Sequence, residues 1–253
     1  MNEGHLNNPV TRDKYDAVLC DLDGVITNTA KMHATCWKTM FDEYLQKRSA
    51  KTREQFRPFD IVSDYTLHVD GKPRFDGVRD FLLSRGIRLP EGTPDDPPRK
   101  ETVCGLGNHK NELIGAFLET QVVEVYEGTL AFLRHVRDQG IKTAVVTSSQ
   151  NGKAVLKAVG IGNLFEATVD GHTIVHQQMA GKPAPDSFLK AAEILGVQPT
   201  RAVVVEDAIS GVQAGARGGF GLVIGVARKG NAVELQKHGA HIVVNDLGDF
   251  RNE

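Results

Sequence analysis

Apolar residues along this chain follow two rhythms. Short, nearly unbroken runs at 15–20, 142–147, 202–206 and 220–225 are rich in Val, Ala, Leu and Ile and bounded by turn residues. Such runs predict strands buried on both faces. Between them the spacing changes. Over 129–139, Leu130, Leu133 and Val136 recur at helical intervals, and Gly140 supplies a stop. The same pattern predicts helices over 153–159 and 186–195, the second closed by Gly196. A last run, 241–244, reads as an edge strand. Strand–helix alternation predicts an α/β architecture, with a parallel sheet covered by helices on both faces.

The stretch from 30 to 123 breaks this rhythm. Residues 30–48 predict an amphipathic helix, with Met32, Cys36, Met40 and Tyr44 near one face and Trp37, Phe41 and Leu45 alongside. Residues 78–84 and 111–119 also predict helix, and the polar, proline-rich stretch 89–99 predicts an exposed loop. The pattern implies a helical module inserted after the first strand, with 124–128 as the return linker. A module of this kind can close over a substrate and expel water.

Composition narrows the function classes. The formal charge of −2 gives no general attraction to nucleic acid or to an anionic membrane. An anionic substrate must therefore be captured by local cations. No apolar run approaches a membrane span, and the polar stretch 1–16 lacks a signal-peptide core and reads as a frayed lead-in. The three cysteines, Cys20, Cys36 and Cys104, are widely spaced and form no metal pattern, which suits a reducing cytoplasm. Cys20 lies in a strand and reads as a buried, inert thiol.

The chemistry gathers at strand ends. The first run ends in Asp21 and Asp23, followed at once by Gly24, which lets the chain turn and bring backbone N–H groups to an anion. The second ends in the hydroxyls Thr147, Ser148 and Ser149, and the third in Glu206 and Asp207. Lys182 stands before two prolines, Pro183 and Pro185, that hold its backbone. In parallel sheets ligands bind at the carboxyl ends of the strands. Acid pairs there hold a divalent cation, or divide into nucleophile and proton carrier, while hydroxyl and ammonium groups take an oxyanion. The chemistry alone leaves open which of Asp21 and Asp23 does which.

These segments together, DLDGVIT, the strand ending at Thr147, GKPAPDSF around Lys182 and VVEDAISG around Glu206–Asp207, resemble the four motifs of the haloacid dehalogenase superfamily. Within it, DLDGVITNT, HKN and GKPAPDSF are most similar to the β-phosphoglucomutases and the related sugar-phosphate phosphatases. The resemblance implies a Rossmann-like, doubly wound parallel sheet core (1–29 and 124–253) with an inserted helical cap (30–123). It implies Asp21 as nucleophile, Asp23 as general acid/base, and Thr147 and Lys182 as ligands of the transferring phosphoryl group. Mg²⁺ would be held by Asp21, Asp23 through its carbonyl, and Asp207, with Glu206 as an alternate ligand.

In the inserted region the resemblance implies substrate roles for Thr29, His33 and Trp37, for Gly71 and Arg74 in a phosphate-gripping loop, and for Lys110 and Asn111 as a sugar-contacting pair. Thr29 also suits a helix cap. Ser148, Ser149 and Asn151 align with positions that contact the second phosphate, although Gln150 stands where the family often has lysine. Asn28 replaces a frequent aspartate, and the region is longer than usual around 64–77 and 84–98. His68 and Asp70 read there as solvated loop residues or sugar contacts. The implied reaction interconverts β-glucose 1-phosphate and glucose 6-phosphate, with glucose 1,6-bisphosphate as intermediate or activator. The alternative is a phosphatase. A cytoplasmic monomer acting on a small sugar phosphate, without nucleic acid or membrane, is expected.

Overall fold

The computed structural model describes residues 6–251. The chain divides into two compact units, one made of residues 1–28 and 123–253 and the other of residues 29–122. The larger unit is built on a six-stranded parallel sheet. In chain order its strands are β2 (Ala17–Cys20), β3 (Lys142–Val146), β4 (Ala167–Val169), β5 (Ala202–Glu206), β6 (Leu222–Val226) and β7 (Ile242–Val244). Their spatial order is β4-β3-β2-β5-β6-β7. The chain runs outward from β2 on one side, then returns to β5 on the other. The carboxyl ends of β2 and β5 therefore meet at a topological switch point.

The sheet is buried on both faces because its strands are apolar at consecutive positions. Leu19, Val146, Val204 and Val223 pack with Phe188 and Leu195 of α7 (Asp186–Leu195), Val212 of α8 (Ile209–Arg217) and Leu235 of α9 (Ala232–Lys237). Val18, Val145, Val203 and Val205, one position along, point to the opposite face and are equally inaccessible. Helix α4 (Glu127–Asp138) buries Leu130, Leu133 and Val136, the residues whose spacing predicted it. Helices α5 (Gly152–Ala158) and α6 (Gly171–His176) follow β3 and β4.

Two features of this unit depart from the sequence pattern. β4 is three residues long and interrupted by Thr168, too short and too polar to register as an apolar run. The lead-in is not wholly frayed: β1 (Leu6–Asn7) pairs in parallel with β8 (Phe250–Arg251), and Val10 is fully buried. Residues 1–5 of that stretch lie outside the described residues.

The inserted unit is helical. Helix α1 (Ala30–Thr52) is one turn longer than its apolar pattern, and all seven of the predicted face residues are buried. Helices α2 (Arg74–Ser84) and α3 (Val103–Thr120) also begin earlier than the pattern does. The start of α3 carries Gly105 and Gly107, which mask a helical rhythm in sequence but admit close packing. A Cβ at Gly107 would lie 2.7 Å from the Phe75 ring. Trp37, Phe41, Phe59 and Phe81 form the aromatic centre, with the Phe41 and Phe81 ring centroids 4.2 Å apart. His68 belongs to a π-helical turn, Tyr65–Val69, and Asp70 is buried at its end; neither is a solvated loop residue. Among the described residues no helix is long and apolar enough to cross a membrane.

Candidate active site

The acidic turn after β2 is held by its own backbone. Asp21 N–H donates to Val205 O of β5, so the strand ladder extends to the first aspartate. Gly24 N–H donates to Thr27 O and Thr27 Oγ1 donates to Leu22 O, which closes the turn over Asp23. Gly24 has φ +100°, and a Cβ there would stand 2.2 Å from Asp207 Oδ2. Both facts require glycine: the conformation disfavours side chains, and the space belongs to a carboxylate.

Lys182 enters this acidic centre completely buried. Its ammonium donates to Asp21 Oδ1 and Glu206 Oε1, each at 2.6 Å, and to Val146 O at 3.2 Å. The peptide between Lys182 and Pro183 is cis. Burial alone would lower the lysine pKa, but Asp21 and Glu206 outweigh it and raise it above the ordinary value. Burial raises the pKa of Asp21 and Glu206, with Lys182 opposing and the neighbouring carboxylates adding to the rise. Glu206 is held by Ala208 N–H, which donates to Oε2 at 3.1 Å. Gly211 makes room for it, since a Cβ there would fall 1.8 Å from Oε1.

The carboxylate oxygens of Asp21, Glu206 and Asp207 lie within 4.8 Å of one another. Lys229 stands 3.0 Å from Asp207 Oδ2, an oxygen that accepts no well-aligned hydrogen bond. Three buried carboxylates close together, two of them on the buried Lys182 ammonium and the third with a poorly satisfied oxygen, offer hard oxygen donors that fit a divalent cation. The chemistry of the donors suits Mg²⁺ or Ca²⁺ and disfavours soft metals.

The end of β3 supplies the hydroxyl. Thr147 is buried, and its Oγ1 donates to Asp23 Oδ2 at 3.3 Å and accepts from Ser149 N–H at 3.1 Å. Ser149 Oγ in turn accepts from Asn151 N–H. The larger unit thus brings Asp21, Asp23, Thr147, Lys182, Glu206 and Asp207 to one sheet edge. A carboxylate held by a buried ammonium and a second carboxylate beside a hydroxyl are groups that phosphoryl transfer through an acyl phosphate can use.

A family model described as haloacid dehalogenase-like hydrolase matches residues 15–219. The chain belongs to the haloacid dehalogenase-like hydrolases. A beta-phosphoglucomutase of Mycobacterium tuberculosis is 49% identical over 241 residues, covering 94% of this chain and 92% of the relative. Among solved structures, a beta-phosphoglucomutase from Clostridium difficile aligns with a TM-score of 0.72 at 24% identity, over 94% of this chain and 93% of that one. A hydrolase from Pseudomonas syringae aligns with a TM-score of 0.72 at 21% identity, over 92% and 95%. At those identities the two structures bear on the fold. This haloacid dehalogenase-like hydrolase is an enzyme, a phosphotransferase.

The inserted unit of this family member carries the remaining candidates. Lys110, though a lysine, is buried: its Nζ lies 2.9 Å from His33 Nδ1 and 5.1 Å from the centroid of Trp37. The ammonium can only donate, so His33 accepts through Nδ1. Trp37 itself stacks on Phe41 within the apolar centre. Thr29 occupies the N-cap position of α1 and makes no side-chain cap bond. Gly71 has φ +73°, suiting the turn before Arg74. Arg74 opens α2, and burial lowers its pKa. Asn111, one position after Lys110, is half-buried.

Sequence reasoning missed Lys229, Gly211 and Asn231, whose Nδ2 donates to Asp207 O. The signal was present: Arg228–Asn231 follows β6, and every loop after a parallel strand in this sheet borders the same edge.

Proposed function

We propose that the chain is a Mg²⁺-dependent β-phosphoglucomutase that interconverts β-glucose 1-phosphate and glucose 6-phosphate. The likeness to a mutase along 94% of the chain at 49% identity carries the choice of mutase. The strand-end geometry supports the chemistry. Phosphorylated Asp21 gives its phosphoryl group to the C6 hydroxyl of glucose 1-phosphate, and Asp23 takes the hydroxyl proton. The P–O bond to Asp21 breaks as the bond to C6 oxygen forms, leaving glucose 1,6-bisphosphate. After the sugar exchanges its ends, the Asp21 carboxylate attacks the C1 phosphoryl group. Asp23 returns its proton to the leaving C1 oxygen, and glucose 6-phosphate departs.

Lys182 holds the Asp21 carboxylate in place at 2.6 Å and offsets charge in a site that burial makes hostile to anions. Thr147 fixes the orientation of Asp23 and presents a hydroxyl to the transferring group. Asp21, Asp207 and the Asp23 carbonyl are the residues that would hold Mg²⁺, with Glu206 as an alternate ligand; the carboxylates of Asp21, Glu206 and Asp207 are clustered there. The ion supplies positive charge for the phosphoryl oxygens and relieves repulsion among the carboxylates. Arg74 and Lys110 supply cations for the phosphate that is not transferred, with His33, Trp37, Gly71 and Asn111 bordering the sugar. Ser148, Ser149 and Asn151 add polar contacts after β3.

The test supplies pure protein with Mg²⁺, β-glucose 1-phosphate and a trace of glucose 1,6-bisphosphate, and follows glucose 6-phosphate together with inorganic phosphate. Fast glucose 6-phosphate with little free phosphate is expected. Arg74→Ala should lower mutase kcat/KM by at least about tenfold, the scale of a lost charge-assisted bond. It should spare hydrolysis of an ester with a single phosphate. Free phosphate dominating in the unaltered enzyme would replace the mutase with a phosphatase.

A further inference from the structure

The added stretch between α2 and α3 is exposed along most of its length, yet the carbonyls of Pro90, Glu91, Pro94 and Asp96 all accept hydrogen bonds from α3. Val103 N–H donates to Pro90 O and Cys104 N–H to Glu91 O, so the loop satisfies the first turn of the helix. Asp96 is buried and accepts from Thr102 Oγ1 and Lys100 Nζ, both at 2.7 Å. Thr102 in turn caps α3 by accepting from Gly105 N–H at 2.9 Å. Glu91 reaches the other helix, accepting from Arg79 Nη2 at 2.5 Å. The loop is a brace between α2 and α3.

One side chain converts that brace into a hold on Arg74. Asn108 Nδ2 donates to Pro94 O at 2.9 Å and to Asp96 O at 2.7 Å. Its Oδ1 accepts from Arg74 Nη2 at 2.8 Å. The chemistry fixes the amide orientation: two carbonyls demand the NH₂ end, and a guanidinium demands the oxygen. Arg74 begins α2, where the helix dipole disfavours a cation, and burial disfavours the charge further. A guanidinium in that place needs fixed dipoles around it. The Asn108 oxygen is one, and its direction is set by the loop.

We infer that Asn108, braced by the 89–102 loop, is a positioning residue for Arg74 and sets the enzyme's affinity for the phosphate that is not transferred. This rests on the mutase reading of Arg74. An arginine held in one rotamer surrenders less side-chain freedom when it binds a phosphate, so preorganisation appears as affinity. The loop's length is then a specificity device of this chain.

The experiment is a double-mutant cycle of Asn108→Ala and Arg74→Ala, read as kcat and KM for β-glucose 1-phosphate, with hydrolysis of acetyl phosphate as a one-phosphate control. Asn108→Ala should raise KM about tenfold, change kcat less, and leave acetyl phosphate hydrolysis unaltered. Added to Arg74→Ala it should do nothing further. Asn108→Gln, which keeps both amide functions one methylene farther out, should recover part of the loss. It also serves if the alanine variant folds poorly. An Asn108 effect that persists in the Arg74→Ala background, or that falls equally on acetyl phosphate, would show a merely structural residue and overturn the inference. A normal KM in Asn108→Ala beside a damaged Arg74→Ala would overturn it while leaving Arg74 in its role. Normal mutase kinetics in Arg74→Ala would remove the reading of Arg74 and this inference with it.

Discussion

At the scale of single residues, Lys182 shows how burial turns an ordinary ion pair into an obligation. Its side chain is fully inaccessible and shared between Asp21 and Glu206, the latter equally inaccessible. Removing the ammonium leaves two carboxylates buried without their cation. Lys182→Met should therefore destabilise the metal-free protein by about 3–5 kcal/mol, the usual cost of breaking a buried pair from one side. The sign of its pH dependence follows. Burial holds Asp21 and Glu206 above their ordinary pKa values, so the folded state keeps protons that the unfolded chain releases. Stability then falls as pH rises from the ordinary carboxylate range through the raised values. Without the lysine that fall should steepen. Denaturant melts of both proteins at pH 5 and pH 8 measure it, and an equal loss at both would contradict the raised carboxylates. The acid pair and its glycine were legible in sequence as a strand end. Lys182 was singled out too, by the prolines beside it, as a cation for an oxyanion; its direct pairing with Asp21 and Glu206 was not, because Lys182 and Asp21 stand 161 positions apart and only packing brings them together.

At the scale of elements, the 89–102 loop carries the lesson. Its proline and acid content marks it as loop, and that reading holds for its backbone. Its polarity conceals Asp96, which is buried beneath Lys100, Thr102 and Thr93. Hydrogen bonds from Lys100 and then Thr102 lower the Asp96 pKa to about 2. A lowered carboxylate contributes stability that is present above its unfolded value of 3.8 and lost as pH falls toward about 2. The start of α3 should consequently loosen in that acid window before the larger unit's sheet does. Amide exchange at Val103 and Cys104, compared between wild type and Asp96→Asn, checks this. The variant should show the loosened state already at neutral pH. The boundaries of α2 and α3 were set too short in sequence for a related reason. Their first turns are held by the loop and by glycines packed on aromatic rings, neither of which has a helical apolar rhythm.

At the scale of the molecule, folding brings carboxylates to one edge at an electrostatic cost, and a cation is the means of offsetting it. A ligand that binds only the folded state stabilises it by mass action, about 2.7 kcal/mol at one hundred times its dissociation constant. Mg²⁺ should raise the melting temperature in proportion to the logarithm of its concentration, and Asp207→Ala should abolish that response. A Mg²⁺-independent melting temperature in the wild-type protein would remove the metal from the site.

The sequence by itself determined the strand–helix alternation, the parallel sheet and the residues at its carboxyl edge. Each of these depends on a few consecutive residues: an apolar run long enough to be buried, then an acid, hydroxyl or glycine that ends it. Tertiary structure decided the partners. Lys229 beside Asp207, Asn108 between the loop and Arg74, and Lys110 on His33 join residues from different elements. Their pairing is set by how helices and strands pack, and a side chain buried that way keeps no local pattern to announce the group it meets.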